Sequence, residues 1–202
     1  MRRRAVPVLG ALLIGLIAGC AEAPGGAGLS TTGRPGDRPS LEQAASRLPQ
    51  SVADFTRGET NWHERERPGF GVAVDYAGPA RSAVSTVSLY DRGQRLVPSD
   101  ITSSTIQGEF LQAVRDAMAV AEGRTSQEFT EGVRSVLPIP GQAPLQCIEL
   151  SGTYGRTQLQ TLLCLGEAAG RFLKVQVTSP ARQVRPVDPQ PFVVGIAQAA
   201  RG

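Results

Sequence analysis

The sequence predicts one α+β domain with a largely antiparallel sheet, covered by a long central helix and a C-terminal helix. Three observations carry that reading. Apolar residues alternate with period two in several segments separated by turn residues, and one long stretch instead repeats every 3.6 residues. The order along the chain is a helix, several strands, the long helix, four strands and a final helix, which fits helices packed on one antiparallel sheet. With 202 residues and 41% apolar content, the chain can bury one core of ordinary size.

The elements follow in order. Residues Ala21 to Pro39 are rich in Gly, Pro, Ser and Thr and read as a flexible tether, so the folded domain is expected over 40–202. Ser40 with Gln43 forms the pattern of a capping box for a short helix carrying Leu41, Ala44, Ala45 and Leu48, which Pro49 stops. Phe70, Val72, Val74 and Tyr76 then alternate with Gly71, Ala73 and Asp75, and Gly78-Pro79 turns the chain into a second strand from about Ser82 to Asp91. Ala83, Val87 and Leu89 share one face of it. Arg92 to Asp100 reads as a loop.

Ser104 and Gln107 form a second capping-box pattern. The helix they open carries Ile106, Phe110, Val114, Ala117, Met118 and Ala121 on one face, with Arg115, Asp116 and Glu122 opposite, and ends at Gly123. Four strands follow, over Phe129–Leu137, Leu145–Tyr154, Thr157–Leu165 and Phe172–Thr178. Asp188 before Pro189 then supplies an N-cap and first-turn pair for a helix with Phe192, Val193, Ile196 and Ala200 on one side. This order, two strand meanders around a long helix with a terminal helix, is similar to the PsbP-like fold. The resemblance is topological and implies the fold without an activity.

The first twenty residues have a different logic. Met1 to Arg4 is a positive segment, and Ala5 to Ala18 is apolar apart from Pro7, Gly10 and Gly15, the layout of a secretory signal over residues 1–19. As a helix its fourteen apolar-region residues reach about 21 Å, short of the roughly 30 Å hydrocarbon core, so a lasting transmembrane anchor is not expected. Ile17-Ala18-Gly19-Cys20 resembles a bacterial lipobox: an aliphatic residue, two small residues, then cysteine. The resemblance implies a lipoprotein cut before Cys20 by signal peptidase II, with diacylglycerol on the sulfur and a further acyl chain, such as palmitate, on the new amino group. Ala21 after the cysteine, by resemblance to Gram-negative lipoproteins, favours the outer membrane. The domain then faces the periplasm, on a tether of about twenty residues reaching some 25 Å.

Charge distribution narrows the partners. The chain has 21 basic and 18 acidic side chains; removing Arg2, Arg3 and Arg4 with the signal leaves 18 against 18. Balance excludes a strongly basic nucleic-acid binder, and the membrane is the expected partner through acyl chains rather than electrostatics, alongside an envelope protein. A single Lys, Lys174, accompanies twenty Arg, which reads as a compositional bias.

The two other cysteines sit in one hairpin. If Gly155-Arg156 is a two-residue loop with Gly first, opposed residues have numbers summing to 311, and Cys147 and Cys164 do so. The alternation makes them a non-hydrogen-bonded pair with Cα atoms about 4.5 Å apart, within disulfide range. An exported chain meets an oxidising compartment, so the pair is expected to be bonded; two small apolar thiols in the core is the alternative.

Searching for chemistry yields little. His63 is the only histidine and lies in the charged run Asn61-Trp62-His63-Glu64-Arg65-Glu66-Arg67, without a nucleophile elbow elsewhere; an exposed loop is the expected reading. Two Cys and one distant His make no zinc set, and neither a metal nor a cofactor is expected. Gly69-Phe70-Gly71 precedes a strand rather than linking strand to helix, so it is no dinucleotide fingerprint. Tyr90-Asp91-Arg92-Gly93 reads as a turn with an internal Asp91–Arg92 pair. Trp62, His63 and Tyr90 are the residues to inspect for a binding surface. The expected function is non-catalytic binding or scaffolding at the membrane surface. The alternatives are a carrier holding a small apolar ligand in a groove between sheet and long helix, and an envelope enzyme with a site around Trp62, His63 and the Tyr90 turn.

The anchor is directly testable. Two or more acyl chains hold stably, at about 0.8 kcal/mol per buried CH₂. Metabolic labelling with palmitate is expected to mark the wild-type chain and not Cys20→Ala, and detergent but not high salt is expected to release the protein from membranes. Equal labelling of both chains refutes the lipobox reading.

Overall fold

The computed structural model describes residues 38–122 and 127–202. The predicted signal segment, Cys20 and the tether as far as Asp37 lie outside the described residues, as does the predicted helix stop at Gly123. The elements are α1 (Leu41–Ser46), β1 (Ser51–Val52), β2 (Phe55–Trp62), β3 (Val72–Ala77), β4 (Val84–Tyr90), α2 (Ser104–Glu122), β5 (Gln127–Ile139), β6 (Gln142–Tyr154), β7 (Thr157–Ala168), β8 (Arg171–Pro180) and α3 (Gln190–Arg201). All eight strands form one sheet in the order β1-β2-β3-β4-β8-β7-β6-β5, and every neighbouring pair is antiparallel. Two four-stranded meanders therefore meet at β4 and β8, and α2 carries the chain from the centre of the sheet to its far edge. The predicted fold class is the observed one.

The helix starts follow from local chemistry. At α1 the Ser40 hydroxyl accepts the Gln43 N–H (3.1 Å) and the Gln43 side chain accepts the Ser40 N–H (3.0 Å), so the anticipated capping box forms. At α2 the expected box does not form. Ser103, not Ser104, caps the helix by accepting the Ile106 N–H (3.3 Å), because an Asp100–Thr102 turn (2.8 Å) delivers the chain one residue earlier. Gln107 instead donates to the Ile101 carbonyl (2.7 Å) and to Gln146 (2.8 Å), tying the helix start to β6. At α3 the Asp188 carboxylate accepts the Gln190 N–H (3.0 Å), and Pro189 already has helical dihedrals (φ −77°, ψ −18°).

Strand alternation divides the core into two layers. On one face Val72, Val74, Val87, Leu89, Leu173 and Val175 pack against α1 and α3; on the other Ile148, Leu150, Leu163, Leu165 and Phe172 pack against Ile106, Phe110 and Val114 of α2. The sheet is curled, and α3 lies in the curl, touching the edge strands β1 and β5 as well as β7. Phe192 of α3 is held between Phe55 of β2 (centroids 4.3 Å apart) and Tyr76 of β3 (5.2 Å). The close fit needs Gly195, since a Cβ there would lie 2.3 Å from a methyl of Val52. Arg201 closes the helix end, donating to the Glu167 and Ala143 carbonyls of β7 and β6.

Two strands had no sequence signal. In β2 the run Phe55–Trp62 shows no apolar alternation, because one buried residue, Phe55, begins it and the rest are exposed or half-buried. β1 is two residues long, joined to β2 by Ala53 and Asp54, both at positive φ (46° and 66°), so this turn takes the left-handed geometry that usually calls for Asn-Gly. Phe70, expected in β3, falls before it.

The C-terminal hairpin has the predicted register. Tyr154 pairs with Thr157 and Cys147 with Cys164, Gly155 has φ +58°, and the two cysteines form a disulfide with Cα atoms 4.1 Å apart. The bridge joins the centre of β6 to β7, in a row that continues through Val175, Val87 and Val74. Closing a loop of 17 residues' separation stabilises by about 3 kcal/mol in the chain-entropy model. The Cys147→Ala/Cys164→Ala double variant is expected to lose about that much in denaturant unfolding. Thiol counting on the unfolded, unreduced chain is expected to show neither cysteine free; two free thiols refute the bond.

Candidate functional site

α2 is too narrow to cover its face of the sheet. It runs beside β5 and β7 and packs on the apolar residues of β6 and β7, and it leaves β8 and β4 partly open, where the face turns polar. On β8 the inward residues Leu173, Val175 and Val177 are buried, and the alternating Lys174, Gln176 and Thr178 face α2's side. Cross-strand pairing sets Lys174 between Ser88 of β4 and Leu165 of β7, Gln176 beside Thr86, and Thr178 between Val84 and Thr161, with the two threonine hydroxyls 2.8 Å apart.

Between this stripe and α2 runs a cleft of about 520 Å³. Ala113 and Ala117 form its helix wall, their small side chains leaving the gap open, with Asp116 between them. Phe129 of β5, Tyr154 of β6 and Leu159 of β7 line the opposite side. Val84 and Tyr154, 59% and 55% exposed, stand at its mouth, so two of the large apolar side chains that the surface shows are gathered at this one opening.

A polar cluster closes one end. Tyr90, 5% exposed, donates its hydroxyl to Glu109 of α2 (2.8 Å). Arg92 donates to the same carboxylate through Nε and Nη2 (both 3.2 Å) and reaches Asp116 at 3.4 Å, which also accepts from Gln112 (2.7 Å). Burial, reinforced by the charge and hydrogen bond of Glu109, pushes the Tyr90 phenol well above the ordinary tyrosine range. The Lys174 amine lies 5.7 Å from the Tyr90 ring centroid. Burial pushes its ammonium below the ordinary lysine range, against the opposing pull of Asp116; Arg92 adds to the lowering and Glu109 opposes it.

Several sequence expectations are corrected here. The Tyr90 turn holds no Asp91–Arg92 pair: Asp91 binds Arg38 (3.0 Å), and Arg92, at φ +53°, swings over the sheet to α2. Asp116 does not stand on α2's solvent side but turns, half-buried, toward Arg92. Trp62, His63 and Tyr90 do not converge. Trp62 ends β2 and packs half-buried on the α3 face, aligned with Val72 and Leu89; Tyr90 is buried on the opposite face; His63 is exposed in a single turn of 3-10 helix. Glu64, read only as a solvated charge, accepts the Gly69 and Gly71 N–H groups at 2.8 to 3.0 Å and fixes that loop. Gly71 has φ +63°, and a Cβ there would run into the Leu89 carbonyl.

Lys174 was missed as a site residue. Its signal was present: a lone lysine among twenty arginines, on the polar side of a strand whose other side is apolar. What was absent was the knowledge that β8 lies mid-sheet, with α2 above it. Among the described residues, no group of three or more His, Cys, Asp or Glu is placed to hold a metal ion, and no helix is long and apolar enough to cross a membrane.

No protein-family model and no curated protein sequence matches the chain. Among solved structures it is similar to cyanobacterial PsbP (CyanoP) from Synechocystis sp. PCC 6803, at 13% identity and a TM-score of 0.40, over 65% of this chain and 83% of that one. The likeness is one of fold.

The Tyr90 cluster predicts an alkaline limit. A phenol held above its unfolded value of about 10 contributes stability that is complete below pH 10 and is lost as pH rises through the folded value. Spectrophotometric titration is expected to show a late phenolate phase that coincides with unfolding, to which the buried Tyr76 also contributes, and which loses the Tyr90 share in Tyr90→Phe. Glu109→Gln is expected to bring that phase to lower pH, and an unchanged onset refutes the role given to Glu109.

Proposed function

We propose that this chain is a lipid-anchored, non-catalytic binding protein of the cell envelope, carrying a small, largely apolar ligand in the cleft between α2 and the sheet. One observation carries the reading: a cleft of about 520 Å³, within the size range of small-molecule sites, opens where helix and sheet part, with Val84 and Tyr154 exposed at its mouth. It combines apolar walls with a few polar groups on a rigid strand, the usual composition of a binding pocket. The carrier reading is thereby favoured over a bare scaffold. The enzyme reading required Trp62, His63 and Tyr90 to meet, and Trp62 and Tyr90 lie on opposite faces of the sheet.

The anchor and the cysteines support the location. A cross-strand disulfide fits a compartment outside the cytoplasm, and the lipobox resemblance at Cys20, with Ala21 after it, supports a domain tethered at a membrane surface, the outer membrane by that resemblance. A domain tethered there is within reach of lipophilic material leaving or entering the bilayer.

Native mass spectrometry of the full chain in phosphatidylcholine nanodiscs, incubated with decanoate and decanol together, tests the site. The wild type is expected to retain one amphiphile per chain. Ala117→Trp, which fills the cleft from the helix side, and Val84→Trp, which blocks its mouth from a solvent-exposed position, are each expected to lose at least nine-tenths of that retention at unchanged melting temperature. Undiminished retention in both variants refutes the cleft as the binding site.

A further inference from the structure

We propose that Lys174 anchors the carboxylate head of an amphipathic ligand, whose apolar tail runs along the α2 wall toward the Val84–Tyr154 mouth. The inference rests on the cleft reading above and names its ligand class.

Lys174 is the chain's only lysine, and among the described residues its amine makes no hydrogen bond and no ion pair. Its charged neighbours are committed to one another. Glu109 takes Tyr90 and Arg92, and Asp116 takes Arg92 and Gln112. The strand neighbours Ser88 and Leu165 bring no counter-charge. The floor of the cleft thus presents one cation whose hydrogen-bonding capacity, three donors, is unused. A half-desolvated ammonium that feels Asp116 only at a distance still lacks a hydrogen-bond acceptor, and a charge-assisted bond formed away from bulk water is among the stronger single contacts available.

The same geometry selects the head group. One amine supplies one positive charge and no planar fork, since the Arg92 guanidinium is occupied by Glu109. With Lys174 and Arg92 together offsetting Glu109 and Asp116, a monoanion adds one negative charge beside Asp116 and a phosphate dianion adds two, so the monoanion is the better match. Arg81, the other cation lining the cleft, lies beyond the Val84 end of β4, and Val84 itself is four strand residues, or about 13 Å, from the Ser88–Lys174 pair. The tail follows from Ala113, Ala117 and Leu159, which flank the way out with apolar surface, and from the two exposed apolar residues at the rim.

Because Lys174 is the only ε-amine, its acetylation by an N-hydroxysuccinimide ester reads the site directly. In the full chain held in phosphatidylcholine nanodiscs, decanoate is expected to slow acetylation of Lys174 at least tenfold, with decanol and acetate at equal concentration changing it less than twofold. Native mass spectrometry is expected to show at least a tenfold loss of decanoate affinity in Lys174→Met and no loss in Arg81→Gln, with the disulfide and melting temperature of both variants unchanged. Equal retention of decanol and decanoate, insensitive to Lys174→Met yet abolished by Ala117→Trp, overturns the anion anchor and leaves the cleft as an apolar site. Loss in Arg81→Gln rather than Lys174→Met, or tighter binding of decyl phosphate than of decanoate, overturns the assignment of head group. Retention of neither decanoate nor decanol overturns the cleft reading and this inference together.

Discussion

Everything in this fold depends on α3 filling the curl of the sheet. An eight-stranded sheet has two edges, here β1 and β5, and α3 is the element that touches both. Phe192 sits between Phe55 and Tyr76, Val193 and Ile196 are fully buried, and Arg201 ties the helix end to β6 and β7. Burying side chains of this size stabilises by about 1.5 to 3 kcal/mol each. The helix follows every strand in sequence, so its contact with β1 spans nearly the whole domain. Such long-range closure makes the two meanders one cooperative unit rather than two hairpin stacks.

Filling one face completely has a consequence for the other. With α1 and α3 inside the curl, only α2 remains for the opposite face, and its path is constrained: it must leave β4 at the centre and deliver the chain to β5 at the edge. It therefore covers β6 and β7, and the residues there, Ile148, Leu150, Leu163 and Leu165, are apolar. Over β8 and β4 the same face carries Ser88, Thr86, Lys174, Gln176 and Thr178. The cleft is the boundary between these two regimes. It follows from the topology before any side chain is chosen, and the alanines at 113 and 117 keep it from being closed by α2.

How much of this was legible in the sequence differs by element for physical reasons. The β6–β7 register followed from one turn and one pair of numbers, because a two-residue loop fixes register absolutely and a glycine at positive φ marks it. α2 and α3 were readable because each buries one stripe. β1 and β2 were not, since β2 is held by backbone pairing to β3 and by Arg57, whose guanidinium donates to the Leu48 carbonyl (2.7 Å), and none of this leaves an apolar pattern. The candidate site was least legible. Trp62, His63 and Tyr90 drew attention by residue type, and strand alternation then sent Trp62 and Tyr90 to opposite faces. Lys174 carried the useful signal, but its meaning depends on β4 pairing with β8, a contact between residues nearly ninety positions apart in sequence.

The charges of the cleft complete the picture. Arg92 holds both Glu109 and Asp116 at its end, with Tyr90 donating into the cluster, so these groups fix α2 to the sheet and carry one net negative charge, which the nearby Lys174 ammonium offsets. A site with several unpaired charges would bind many anions by long-range attraction, and salt would screen it. A site with one amine, recessed behind an apolar mouth, discriminates differently. A free small anion gains the ion pair but nothing from the walls, and a neutral lipid gains the walls but leaves the ammonium unmet. Selectivity for a molecule carrying both parts then arises from the separation of the two features along β8, and a chain with a formal net charge of only +3 over 202 residues adds little background field to blur it.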